Sequence, residues 1–242
     1  MKFKVLIGCC AILVSGFVAT AFAATVGNPT KVNLSEEGAP ATTGLLADIV
    51  FERELDDDGT ELESNIYAAK IGYTVAERVD VFAILGAGDL ELSDPIGQLE
   101  TEMSFLWGIG FTAPLFEFDN GVKIGLSGQY RRSKQDISKL EVSGTDLTSF
   151  VEDLLYEDWQ VALGIAKEFS WGEPYFGVKY NDVEVSDVST VSGTTIDEDA
   201  NSDDVVGVFV GIDFSLTDNL NFLVEGRFID EEAVSGILSF KF

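Results

Sequence analysis

From residue 44 onward the apolar residues of this chain recur at every second position, one segment after another, up to the last residue. The final stretch, AVSGILSFKF, shows the pattern plainly. Val234, Gly236, Leu238, Phe240 and Phe242 fall on one face; Ala233, Ser235, Ile237, Ser239 and Lys241 fall on the other. A period of two is a β-strand. Chain ends usually fray into water, yet this one stops on an aromatic residue of the apolar face. A last strand that must pair with the first, leaving no open edge in hydrocarbon, accounts for such an ending.

Nine further segments alternate in the same way: 44–55, 63–75, 79–92, 101–113, 121–131, 158–169, 175–185, 205–216 and 220–230. The third is apolar on both faces around Phe82 and Ile84, so its parity is open. Ten strands are expected; eight is the alternative, reached by merging two segments around the third. The connections alternate in length. Those at 76–78, 114–120, 170–174 and 217–219 are short, whereas the other set includes the long stretches 132–157 and 186–204. This alternation requires an even strand count and puts both termini on the short-turn side. A soluble β-sandwich would explain the apolar faces but not the loop alternation together with the terminal Phe.

On these residues the chain resembles bacterial outer-membrane β-barrel proteins of the small OmpA-like or porin-like kind. The resemblance implies a closed antiparallel transmembrane β-barrel over residues 43–242, with periplasmic termini, in a Gram-negative outer membrane. It also implies that the ending, with Leu238, Phe240 and Phe242, is read by the barrel-insertion machinery, and that lipid and lipopolysaccharide surround the wall. A monomer is expected.

The start of the chain agrees. Lys2 and Lys4 precede an apolar run over 5–18 and then Ala21-Phe22-Ala23. This is the form of a secretory signal peptide, residues 1–23, with an A-x-A cleavage site. A membrane anchor and a lipoprotein box at Cys9 are the alternatives; the first is too short and the second is badly placed. Cleavage removes Cys9 and Cys10, the only two cysteines, and with them thiol and disulfide chemistry. Residues 24–42 lack periodicity, carry Pro29 and Pro40, and read as a flexible periplasmic segment.

A charged side chain near mid-membrane on the lipid face costs roughly 2–4 kcal/mol for Arg or Lys. The charges of the alternating segments should therefore point inward. That inward set is Asp48, Glu52, Lys70, Glu102, Lys123, Arg131, Lys179, Asp213, Glu225 and Arg227, with Lys241 and, on one parity, Asp80. The signs nearly balance, so the groups either pair across a narrow lumen and close it or line a thin water path. Barrels near eight strands have interiors that side chains can fill, and ten lies close to that end.

The formal charge is −27, and cleavage of Lys2 and Lys4 takes it to −29. Nucleic acid is excluded as a partner, because too few cations are left to neutralise phosphates. Hydrophobic residues at 46% and aromatics at 11% are too many for a disordered chain. Much of the excess negative charge falls in outer loops. The spacing Asp197, Asp199, Asn201, Asp203 partly matches a calcium loop, but Ser202 stands where its Gly belongs and Val208 where its bidentate Glu belongs. No cofactor is expected, with calcium as the alternative. The stretch 146–158 suggests a turn or more of helix in an outer loop.

There is no His anywhere. The usual hydrolytic dyads need an imidazole base, and the acidic loops offer no burial to tune a carboxylate, so no enzyme is expected. Val26-Gly27-Asn28-Pro29, followed by Asp48-Ile49-Val50-Phe51-Glu52-Arg53, resembles the opening of chlamydial-type major outer membrane porins. The expected role is a structural or minor porin-like one, passing small cations or solutes. The alternative is surface binding or adhesion through the acidic loops 132–157 and 186–204.

Overall fold

The structure is a computed structural model describing residues 25–31, 41–55, 59–75, 79–95, 97–146, 148, 153–191 and 194–242, without the side chains of 187–199. The expected signal peptide at 1–23 lies outside the described residues. Among the described residues thirteen strands form one sheet: β1 (Ala41–Glu52), β2 (Glu61–Val75), β3 (Val79–Asp94), β4 (Gly97–Thr101), β5 (Ser104–Glu117), β6 (Val122–Val142), β7 (Thr145–Asp146), β8 (Asp153–Lys167), β9 (Glu173–Val191), β10 (Thr194–Asn201), β11 (Val206–Ser215), β12 (Leu220–Phe228) and β13 (Glu232–Lys241). Every pairing is antiparallel. β13 returns to pair with β1 from Thr42↔Lys241 to Glu52↔Glu232, which closes the sheet into a barrel. Ten positions go round the wall. β4 continues β5 across a break, and β7 and β10 are hairpin arms on β6 and β9.

The third segment's parity is settled by its neighbours. Asp80, Phe82 and Ile84 are buried inside, while Val81 and Leu85 are exposed. It is apolar on both faces because one faces lipid and the other packs in the lumen. The segment therefore stands alone as β3, paired with β2 on one side and β5 on the other, and the count is ten rather than eight.

The end that holds Ala41, Phe242 and the short connections is called proximal here, and the other distal. At the distal end the strands run further than the alternation suggested. β6 continues to Val142, and β8 begins at Asp153, so most of 132–157 is strand. β9 and β10 likewise take up most of 186–204 as a hairpin ladder. Of the stretch 146–158 expected to hold a turn or more of helix, residues 153–158 are strand instead: Leu154, Tyr156 and Asp158 alternate inward on β8 and pair across to β6 and β9, while 147 and 149–152 lie outside the described residues. A segment flanked by two strand edges gains more from extending the ladder than from a lone turn of helix. At the tip of the β6–β7 hairpin, the Thr148 hydroxyl and amide both donate to Asp146, at 2.7 and 3.0 Å, and hold its carboxyl below the usual range.

The outer surface is that of a membrane barrel. Leu45, Ile71, Ile109, Leu163, Val178 and Val210 are exposed around the middle. Aromatic residues crowd both edges of this band. Distally Trp107 meets Tyr130 edge-on at 5.8 Å and Trp159 meets Tyr180 at 5.1 Å. Proximally Phe169 stacks on Trp171 at 5.5 Å and Phe240 meets Phe242 at 5.0 Å. Two aromatic girdles around an apolar band are what the two membrane interfaces select.

Candidate functional site within the lumen

Alternation sends every second side chain of each wall strand into the interior, so the lumen is written residue by residue in the strands. Its middle is a layer of ion pairs. Arg227 on β12 donates from Nη2 to Asp48 Oδ1 at 2.7 Å, from Nε to Glu231 at 2.8 Å and from Nη1 to Glu225 at 3.2 Å. Arg131 on β6 joins Asp48 at 3.2 Å to Asp158 at 2.5 Å. Arg53 reaches Glu231 at 2.6 Å, and Lys179 bonds both Glu231 and Asp230, the latter at 2.7 Å. Asn181 donates to Asp158 at 2.7 Å and accepts from Arg53, linking the two halves. Arg53, Arg131, Arg227 and Lys179 are all wholly buried.

Desolvating this many charges is tolerated only because each is multiply paired. Losing one partner leaves another charge stranded. The layer's ion pairs join β1, β6, β8 and β12. Distal to it the filling is apolar: Leu55, Leu62, Leu90, Leu154 and Val185 belong to the buried cluster.

The proximal half is filled by residues 25–31 of the same chain. Residues 25–31 lie inside the barrel, not in a flexible periplasmic segment as expected for 24–42. The Thr25 amide donates to Asp48 at 3.1 Å, the Val26 amide to Glu225 at 2.8 Å, and Gln129 donates to the Thr25 carbonyl at 3.0 Å. Further down, Asn28 and Thr30 donate to Glu173 and Lys31 pairs with Asp213 at 2.9 Å. The wall is shaped for this segment. A Cβ on Gly125 would lie 1.9 Å from the Pro29 carbonyl oxygen, and one on Gly164 2.4 Å from the Pro29 ring. The segment came inside because its unpaired amides find buried carboxylates there, whereas the composition that suggested a linker reports only the lack of a period. Beside it a cavity of about 80 Å³, bordered by Lys31, Lys70, Asp80 and Asp213, has room for a few waters.

Eight of the ten expected lumen charges face inward: Asp48, Lys70, Lys123, Arg131, Lys179, Asp213, Glu225 and Arg227. Lys70 lies over the Phe82 ring at 3.6 Å, and Lys123 bridges Glu173 and Glu168 near the proximal rim. Glu52 and Glu102 do not. The β1–β13 register shifts between Val50 and Glu52, which leaves Glu52 exposed and turns Arg53 inward. The β4–β6 register shifts between Glu100 and Thr101. Thr101 and Ser104 then both point in, and Glu102 points out. Such bulges re-aim every side chain beyond them.

The alternation missed Arg53, Asp158, Glu173, Asp230 and Glu231. Asp158 and Glu173 sat at segment ends. Asp230 and Glu231 lie in a tight connection that folds into the bore after Ile229, whose φ is 87°. Of the calcium-like spacing, Asp197, Asp199 and Asn201 lie on the extended backbone of β10, paired with β9, and Asp203 is exposed. An extended ladder does not wrap an ion as a calcium loop does. Leu238, Phe240 and Phe242 line the outer face of the closing seam, where Leu238 pairs with Leu45 and the Phe242 amide bonds the Ala41 carbonyl at 3.2 Å.

No family model matches the chain. Among curated proteins it is 24% identical over 216 residues to the major outer membrane porin, serovar E, of Chlamydia trachomatis, covering 65% of this chain and 52% of that one. It is 26% identical over 140 residues to the major outer membrane porin of Chlamydia muridarum, covering 46% and 34%. The chain thus spans about half or less of these relatives' length. Among solved structures, the translocator domain of the autotransporter NalP from Neisseria meningitidis matches with a TM-score of 0.50 at 14% identity, covering 86% of this chain and 91% of that one. At that identity the match speaks to fold alone. With these relatives and this neighbour, the chain is a β-barrel protein of the bacterial outer membrane, weakly similar to chlamydial major outer membrane porins.

Proposed function

We propose that this protein is a structural barrel of the outer membrane, built on a porin-like frame and sealed in its resting fold. The carrying observation is the mid-lumen layer, in which Arg53, Arg131, Lys179 and Arg227 are wholly buried and each shared between carboxylates. Passage of small cations would require those pairs to part. The proximal end, with its short turns and Phe242, faces the periplasm; the distal hairpins face outward. Phe240 and Phe242 stand on the outer wall, where the insertion machinery could read them and lipid then covers them. The wall closes on itself, which supports a monomer.

A second reading, surface binding, is favoured by the β6–β7 and β9–β10 ladders, which extend beyond the closed wall. Single-channel recording on the refolded protein in a planar bilayer tests the first reading. We expect silence from protein that migrates as folded barrel. Stable cation-selective steps from the unmodified chain would overturn the seal and leave a constitutive pore. Loss of cell binding on replacing 138–146 by a short turn, with silence retained, would move the function to the distal hairpins.

A further inference from the structure

Residues 25–31 are as buried as core residues, yet they belong to no strand. Thr25, Val26, Asn28 and Thr30 are at most 7% exposed. The Lys31 amide donates to the Asn28 carbonyl within the segment, and among the described residues no backbone hydrogen bond ties 25–31 to a wall strand. Wall strands are joined by ladders; this segment is held by side chains alone, as a bound ligand is held by a few placed polar groups. Wall carboxylates receive it in order along the bore. The Thr25 amide donates to Asp48 at 3.1 Å, and the Thr25 hydroxyl and Val26 amide donate to Glu225 at 3.3 and 2.8 Å. The Asn28 side-chain amide and the Thr30 hydroxyl donate to Glu173 at 3.0 and 3.1 Å, and the Lys31 ammonium lies 2.9 Å from Asp213. Gly27, with φ 69°, makes the bend between the two groups of acceptors. Pro29 fills the space that Gly125 and Gly164 leave open. The wall has its own cations for most of these carboxylates: Arg227 pairs with Asp48 and Glu225, and Lys123 with Glu173. Departure of the segment therefore does not strand them.

We propose that the proximal half of the lumen is a peptide-binding site, and that residues 25–31 are its tethered, exchangeable occupant. The ligand class is a short, bent peptide. It carries a lysine for Asp213, hydroxyl or amide side chains for Glu173, a proline for the socket at Gly125 and Gly164, and a glycine at the bend. Shape selects at the proline and the glycine; charge selects at Asp213. Covalent attachment to β1 through residues 32–40 gives the segment an effective concentration on the order of millimolar. A free peptide of the same chemistry competes with it only at comparable concentration.

The test uses the full chain carrying Thr30→Cys, folded in detergent micelles, and a free peptide of residues 25–31. The peptide is acetylated and amidated, so that its lysine is its one charge. Maleimide labelling at residue 30 is followed by mass mapping. We expect labelling to speed up several-fold at about 10 mM peptide, because the free copy fills the site each time the tethered one leaves it. Peptides carrying Pro29→Trp or Gly27→Val should leave the rate unchanged. Labelling that ignores the wild-type peptide, or that rises equally with all three, overturns the proposal and makes the segment a fixed part of the fold. As a second measurement, a dye-bearing copy of the peptide is titrated into a barrel lacking residues 25–31 that keeps folded gel mobility. Saturable binding is expected, at least about tenfold tighter than to the full chain, and weakened about tenfold or more by Asp213→Asn. Anisotropy that never saturates overturns the site. Should the shortened chain not fold, the labelling result decides. Neither readout depends on conductance, so a leaking barrel would overturn the seal and leave this site standing.

Discussion

At the scale of residues, the lumen separates charges that matter from charges that do not, and sequence position alone does not tell them apart. Glu52 and Arg53 are neighbours, and the alternation of β1 assigns Glu52 to the interior. The shift between Val50 and Glu52 reverses this. Arg53→Ala should therefore destabilise the barrel by about 3–5 kcal/mol, since it strands Glu231 and Asp230 in the dry layer. Glu52→Ala should change stability by no more than about 0.5 kcal/mol. Urea unfolding in detergent micelles, followed by tryptophan fluorescence, measures both. The opposite ranking would mean that the strand keeps its parity through the bulge. Arg227→Ala belongs with Arg53→Ala, because Asp48, Glu225 and Glu231 all lose a donor. The exposed Lys134–Asp153 pair, at 2.6 Å, should contribute no more than about 1 kcal/mol.

At the scale of elements, the strands were legible and their breaks were not. A period of two is imposed by the backbone itself, so the wall residues from Leu45 to Phe240 announce their faces. A bulge adds one residue with no compositional mark, which is why Arg53 was missed and Glu102 was misplaced. The inserted segment was invisible for a different reason: its partners are spread over β1, β6, β9, β11 and β12, and no local pattern in residues 25–31 encodes them. The wall does record them, in small residues. Gly164→Val would drive a side chain into Pro29, and we expect it to loosen the segment without opening the sheet. In a Thr30→Cys background, maleimide labelling of folded protein should speed up when Gly164→Val is added, while unfolding of the wall shifts little. Unchanged labelling would mean the segment yields around the new methyls and is not held by this socket.

At the scale of the whole molecule, the proposed reading has the lumen sealed twice. The inserted segment fills the proximal half, and the ion-pair layer closes the middle; each spans the bore with its own contacts. Two seals in series predict that breaching either one leaves the barrel silent. Deleting residues 24–31 removes the donors to Glu225 and Glu173, so some stability should be lost, but Arg227 and Arg131 still tie β12, β1, β6 and β8 together across the bore. We expect no conductance steps from that deletion in planar bilayers. Lys179→Ser with Glu231→Ser removes a cation and a carboxylate together, which avoids stranding a net charge, and should also be silent while the segment stays in place. Combined with the deletion, the same pair should give steps, cation-selective because Asp48, Asp158 and Glu225 would then flank the path with fewer partners. Heat-modifiable gel mobility must show a folded barrel in every case. Steps from the deletion alone would show that the charge layer leaks and that the inserted segment is the only gate. Silence from the combined variant would place a third seal in the apolar distal layer around Leu62, Leu90 and Leu154.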